Sequence, residues 1–148
     1  MFAEETRNRL SAAGVVPVVV INDAVNAVPL AKALLAGGVK VIELTLRTAA
    51  GLDAIKAIAA EVPEMLVGAG TVLSTEQVRD VKAAGAAFAV APGTNRTILA
   101  AAQEVDLPFA PGVMTPSDIE TALGMGCRML KFFPAESAGG VTHLKAMV

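Results

Sequence analysis

The chain has 148 residues, 54% of them hydrophobic but only 3% aromatic, with a formal net charge of −2. That length makes one domain with an aliphatic core, and the absence of a basic cluster argues against nucleic acid or an anionic membrane surface as partner. One cysteine, Cys127, and one histidine, His143, leave no intrachain disulfide and no Cys- or His-based metal cluster, and fit a reducing, cytoplasmic setting.

Met1 to Leu10 is polar and charged, without the apolar core of a secretory signal, and Glu4 to Ala13 reads as a short amphipathic helix. Val16 to Ile21 is the first strand; with Pro17 inside it, this run is far too short to span a bilayer. Asn22 or Asp23 can cap a helix that runs to Ala36 and stops at Gly37-Gly38, with Pro29 forcing a late start or a kink. Val39 to Leu46 is the second strand, and Leu52, Ile55, Ile58 and Val62 recur at helical spacing after it. Met65 to Ala69 is the third strand. Ser74-Thr75-Glu76-Gln77 reads as a capping box opening a helix that ends at Gly85.

The pattern continues with a strand over Phe88 to Ala91, a helix from Asn95 to Val105 and a strand over Leu107 to Ala110. Thr115 to Asp118 caps a helix closed by Gly124 to Gly126; Met129 to Phe133 is the last strand, and Gly140 to Val148 begins another helix. Six strand-helix units thus recur without a linker, which means parallel strands joined by right-handed crossovers. No Gly-x-Gly-x-x-Gly follows the opening strand, so the dinucleotide fingerprint of a doubly wound sheet is missing. The unusual polar residues gather at strand C-terminal ends, where barrel active sites lie. The fold expected is α/β, of the (βα)8 barrel type, with six of its eight units.

Lys131 interrupts an apolar strand. Burying an ammonium costs several kcal/mol unless it is paired or neutralised. One reading is a lysine that snorkels to the rim or pairs with a carboxylate. The other is a desolvated amine, its pKa lowered, that attacks a carbonyl to form a Schiff base. In Val41 to Arg47, alternation puts Glu43, Thr45 and Arg47 on one face, so an internal Glu43–Arg47 ion pair competes with a catalytic reading. Gly68-Ala69-Gly70-Thr71 allows close backbone approach and adds a hydroxyl. Ala91-Pro92-Gly93-Thr94 and Ala110-Pro111-Gly112-Val113 read first as turn chemistry, and Lys131 and Phe133 share a face. Taken together these residues suit a small-molecule 2-keto acid: Lys131 as the amine, Arg47 as a carboxylate clamp, Glu43 as general acid/base.

Val39 to Thr48, Val67 to Thr71, Pro111 to Pro116 and Leu130 to Glu136 resemble the 2-keto-3-deoxy-6-phosphogluconate aldolase / 4-hydroxy-2-oxoglutarate aldolase family, in order and over essentially the whole chain. The resemblance implies a (βα)8 barrel, usually trimeric, acting as a class I aldolase without metal or other cofactor. By it Lys131 is the Schiff-base lysine, Glu43 the acid/base, Arg47 and Thr71 hold the pyruvate carboxylate, and Pro92 and Phe133 line the pocket. Family members continue through two more strand-helix units carrying a Gly-rich phosphate site, so the 148 residues are expected to lack the phosphate grip. Two rival expectations stand beside this one. An incomplete barrel would only self-associate or complement another piece through its apolar edges, Pro17 to Ile21 and Met129 to Phe133. A metal-dependent pyruvate aldolase is disfavoured because no second carboxylate accompanies Glu43 at a strand end.

Overall fold

A computed structural model describes residues 2–147; Met1 and Val148, at the ends of the first and last expected segments, lie outside them. Helix α1 (Glu4–Ala13) leads to β1 (Val18–Val19), a 3-10 turn at Ala24–Asn26 and α2 (Ala27–Ala36). Then come β2 (Val41–Thr45), α3 (Gly51–Glu61), β3 (Leu66–Gly70), α4 (Thr75–Ala83), β4 (Phe88–Val90) and α5 (Arg96–Glu104). The chain continues through β5 (Phe109–Ala110), β6 (Gly112–Val113), α6 (Pro116–Gly124), β7 (Lys131–Phe132) and α7 (Gly140–Met147).

Strands β1 to β5 pair in chain order, and β6 pairs β7, every pairing parallel. The strand expected over Leu107 to Ala110 is therefore longer and divided. Pro111 has no N–H to donate, so the ladder breaks into β5 against β4 and β6 against β7, while the Pro111 carbonyl still accepts from Lys131 N at 2.9 Å. Neighbours in sequence are neighbours in space along the whole wall. A doubly wound sheet reverses its strand order at a switch point; this one never does, and it is the wall of a partial (βα) barrel.

Alternation sorts the aliphatic side chains onto two faces. Ile42, Leu44, Val67, Ala69, Ala89 and Phe109 pack outward against the helices. Val41, Leu66, Phe88, Val90 and Ala110 face the other way and meet Leu10, Ala13 and Phe2 at the start of the chain. Arg9 Nη2 donates to the Glu64 carbonyl at 2.7 Å, which fastens α1 beside the entry to β3. The N-terminal helix thus closes the floor of the interior and leaves the polar chemistry for the opposite end.

Local chemistry places the helix ends. Pro29 is the third residue of α2, where the N–H it lacks has no intrahelical acceptor anyway, so the helix starts late rather than kinking. Ser74 accepts from Gln77 N, but Gln77 Oε1 accepts from Leu73 N at 2.7 Å rather than from Ser74, so the expected box closes one residue early. Thr115 and Asp118 form the full reciprocal capping box of α6, with Pro116 opening the helix. Gly38, Gly85 and Gly126 take positive φ after helix ends, at 84°, 91° and 78°.

Candidate active site

Glu43 stands in the middle of β2, opposite Val18 on one side and Gly68 on the other. It and Thr45 are the buried polar side chains among the described residues, at 4% and 0% exposure. Thr45 satisfies its hydroxyl by donating to the Val19 carbonyl at 3.2 Å. Glu43 is satisfied by Lys131, whose Nζ lies 3.1 Å from Oε1 and 3.2 Å from Oε2 across 88 residues of sequence. A buried carboxylate survives only with such a partner.

That contact also reports the shape of the wall. Between β2 and β7 lie β3, β4 and the divided β5/β6 strand. In a flat sheet four strand steps of about 4.8 Å would hold β2 and β7 roughly 19 Å apart, farther than the two side chains reach together. Only a wall that curls into a barrel puts the amine on the carboxylate.

Lys131 is not the wholly desolvated amine that its apolar neighbours suggest. Its side chain is 25% exposed, paired with Glu43, and its Nζ sits 5.3 Å from the centre of the Phe133 ring. That is within range of a cation–π contact. Phe133 continues the ladder, its N–H donating to the Val113 carbonyl at 3.2 Å, which orients the ring on the lysine's side.

Two glycines of β3 leave room on its interior face, one for the core and one for Glu43. A Cβ at Gly68 would overlap the Phe88 ring, and one at Gly70 would overlap Glu43 Oε1. Thr71 follows directly, half-buried, with φ of 60°. The left-handed region costs a β-branched residue roughly 1–2 kcal/mol, and such outliers gather at ligand sites.

Arg47 departs from expectation. Strand β2 ends at Thr45, so the alternation does not carry on to residue 47, which lies exposed in the turn before α3. The Glu43–Arg47 ion pair does not form; Glu43 pairs with Lys131, and Arg47 makes no ion pair among the described residues. Pro92 is exposed at the C-terminal end of β4. Its carbonyl packs so tightly on Gly112 that no Cβ fits there, and Thr94 Oγ1 donates to the Gly112 carbonyl at 2.9 Å. The two Pro-Gly turns therefore brace each other. The structure unites Glu43, Lys131 and Phe133, places Gly70 and Thr71 beside them, and leaves Arg47 and Pro92 on loops at the same strand ends. The seat made by Gly70 is the feature that sequence reading missed, since a Gly-rich turn signals close approach without saying to what.

An amine and a carboxylate in contact can exchange a proton directly, and an amine so deprotonated can add to a carbonyl. A cavity of about 330 Å³ lies elsewhere, lined by Phe2, Leu99, Phe109, Cys127 and Met129, and contains none of these groups. Burial there pushes the Cys127 thiol up. Among the described residues no three His, Cys, Asp or Glu side chains converge, and no helix is long and apolar enough to cross a membrane.

Known proteins are similar to this chain over most of its length. The 2-dehydro-3-deoxy-phosphogluconate aldolase of Dickeya dadantii is 52% identical over 138 residues, covering 93% of this chain and 65% of the relative. The KHG/KDPG aldolase of Escherichia coli is 51% identical with the same coverage, so the chain spans about two thirds of the length of the curated relatives it matches. A crystal structure of KDPG aldolase from Legionella pneumophila, with pyruvate captured at low pH as a covalent carbinolamine intermediate, superposes with a TM-score of 0.90. It is 46% identical and covers 94% of this chain and 68% of its own. Residues 6–148 match the family of KDPG and KHG aldolases, and it is to that family that the chain belongs.

Proposed function

We propose that this chain carries the Schiff-base machinery of a class I aldolase acting on 2-keto-3-deoxy-6-phosphogluconate, 4-hydroxy-2-oxoglutarate or both. The observation that carries the reading is the Lys131–Glu43 contact across the barrel interior. Glu43 takes a proton from Lys131, and the freed amine adds to the C2 ketone. The carbinolamine loses water, with Glu43 returning the proton through a water molecule, and an iminium forms. Glu43 then takes the proton of the C4 hydroxyl while the C3–C4 electrons move into the iminium. Glyceraldehyde 3-phosphate or glyoxylate departs, and the enamine is protonated at C3 and hydrolysed to pyruvate. The iminium is the electron sink, so no step calls on a metal or another cofactor.

The other residues fall into place around this sequence. Arg47, exposed at the mouth and without an ion pair among the described residues, offers a planar fork to the keto-acid carboxylate, and Thr71 closes on the same group. Pro92 and Phe133 line the pocket. The phosphate of a phosphorylated substrate is assigned to none of these residues. Assembly into a homo-oligomer, trimeric as the resemblance implies, belongs to the same proposal, and exposed Val18, Val20, Val25 and Val141 supply apolar surface for it. So does a reducing cytoplasm, in keeping with the free Cys127.

Incubation with pyruvate and borohydride, followed by digestion and mass spectrometry, tests the proposal. The reduced adduct is expected on Lys131. An adduct on Lys32, Lys56 or Lys145 would reassign the nucleophile, and no adduct on a folded chain would favour a barrel piece that only associates.

A further inference from the structure

We infer that Gly70 is a positioning residue, its missing side chain forming the seat that holds the Glu43 carboxylate on Lys131; the inference rests on the roles proposed above for those two residues. Gly70 ends β3 in register with Thr45, two residues beyond Glu43 on the neighbouring strand. A Cβ there would overlap Glu43 Oε1 and stand 2.9 Å from both Cδ and Cγ, so it would displace the whole carboxyl end. The reason for glycine is space rather than conformation, because Gly70 is not among the residues with positive φ. Glu43 is 4% exposed, so a displaced carboxylate finds no solvent to retreat into. It must give up the position in which both oxygens lie 3.1 and 3.2 Å from Lys131 Nζ. Gly68, on the same face two residues earlier, provides an internal contrast. Its Cβ would meet the Phe88 ring instead, and its emptiness serves the core.

The step most exposed to this geometry is removal of a methyl proton from the pyruvate iminium. Glu43 accepts the proton, the C–H electrons become the C2–C3 double bond, and the iminium electrons pass to nitrogen. In D2O the reverse step returns a deuteron, so loss of the pyruvate methyl signal by NMR, set against the amount of borohydride adduct on Lys131, separates proton transfer by Glu43 from imine formation. With Gly70→Ala, borohydride is expected still to place the adduct on Lys131, while methyl exchange falls about 100-fold, the scale of a catalytic group misplaced by about 1 Å. Glu43→Gln, expected to slow exchange in the Gly70 chain, should then add little. Wild-type exchange in Gly70→Ala, or fully multiplicative effects of the two substitutions, would overturn the inference.

Thermal melting separates this from failure of the proposed chemistry. Glu43→Asp shortens the side chain by one carbon. It is expected to lower Tm in the Gly70 chain and to raise it, or restore folding, in Gly70→Ala, with no such rescue in Gly68→Ala. An Asp effect of the same sign and size in all three backgrounds would also overturn the seat, whether or not pyruvate forms an adduct.

Discussion

Glu43 and Lys131 meet as partners, but they come from unlike parts of the molecule. Strands β2 and β3 run five residues each, and every residue in both is buried. Strand β7 is two half-buried residues, and neither it nor α7 contributes a buried side chain. The carboxylate is therefore held by packing on both faces of its strand, whereas the amine is held largely by the carboxylate. In the function proposed above, such a division would keep Glu43 fixed as acid/base while Lys131, which would change its bonds at every step, sits where few aliphatic contacts oppose movement.

Large-to-small substitutions give the strongest test of that division. Leu44→Ala on β2 removes a fully buried side chain and is expected to cost about 2–5 kcal/mol in denaturant unfolding. Leu130→Ala, at the half-buried entry to β7, should cost less than half as much. Equal losses would show that the two regions are equally packed and would end the comparison.

Arg47 sits where the rigid strand gives way to the loop, and it sharpens the boundary. Arg47→Lys is expected to lose about 1.5–3 kcal/mol of pyruvate affinity, measured by calorimetry, because an ammonium cannot reproduce a two-pronged grip on a carboxylate. Unchanged binding would remove Arg47 from the site.

The ion pair itself should prove asymmetric. Lys131→Met strands a buried carboxylate and is expected to cost about 1–3 kcal/mol of stability. Glu43→Gln leaves an ammonium that is already 25% exposed and can turn to water, so it should cost less than about 1 kcal/mol. Urea melts of both variants at neutral pH decide the order; a larger loss from Glu43→Gln would reverse the argument.

The smallest effect lies at the start of α6. Thr115→Ala should cost about 1 kcal/mol, a typical N-cap loss. The Thr115 hydroxyl, then the Met114 and Thr115 N–H groups, hold the Asp118 carboxyl below its ordinary value. A depressed carboxylate contributes stability above its unfolded pKa and loses it as pH falls through its folded one. Asp118→Asn should therefore lower stability at neutral pH, where that contribution is present, and flatten the acid limb of the stability curve below roughly pH 4. An unaltered acid limb would mean that the cap titrates as free aspartate does.

What the sequence determines by itself is whatever repeats locally. Periods of two and 3.6 residues, Gly stops and Ser, Asn and Thr caps mark out strands and helices to within a few residues, because each depends on hydrogen bonds and side-chain directions a few positions apart. The same alternation shows Glu43 and Thr45 sharing a face, but it cannot show where that face ends, and so it carried Arg47 one step too far. Pro111 is visible as a break, yet whether the chain turns there or runs on as a second strand depends on which neighbours its carbonyl finds. The contact of Lys131 with Glu43 was open in the sequence between a rim lysine, a paired lysine and a free amine. Tertiary structure decided it, since the curvature that closes roughly 19 Å of flat sheet is the accumulated twist and tilt of every strand between them and is written in no single one.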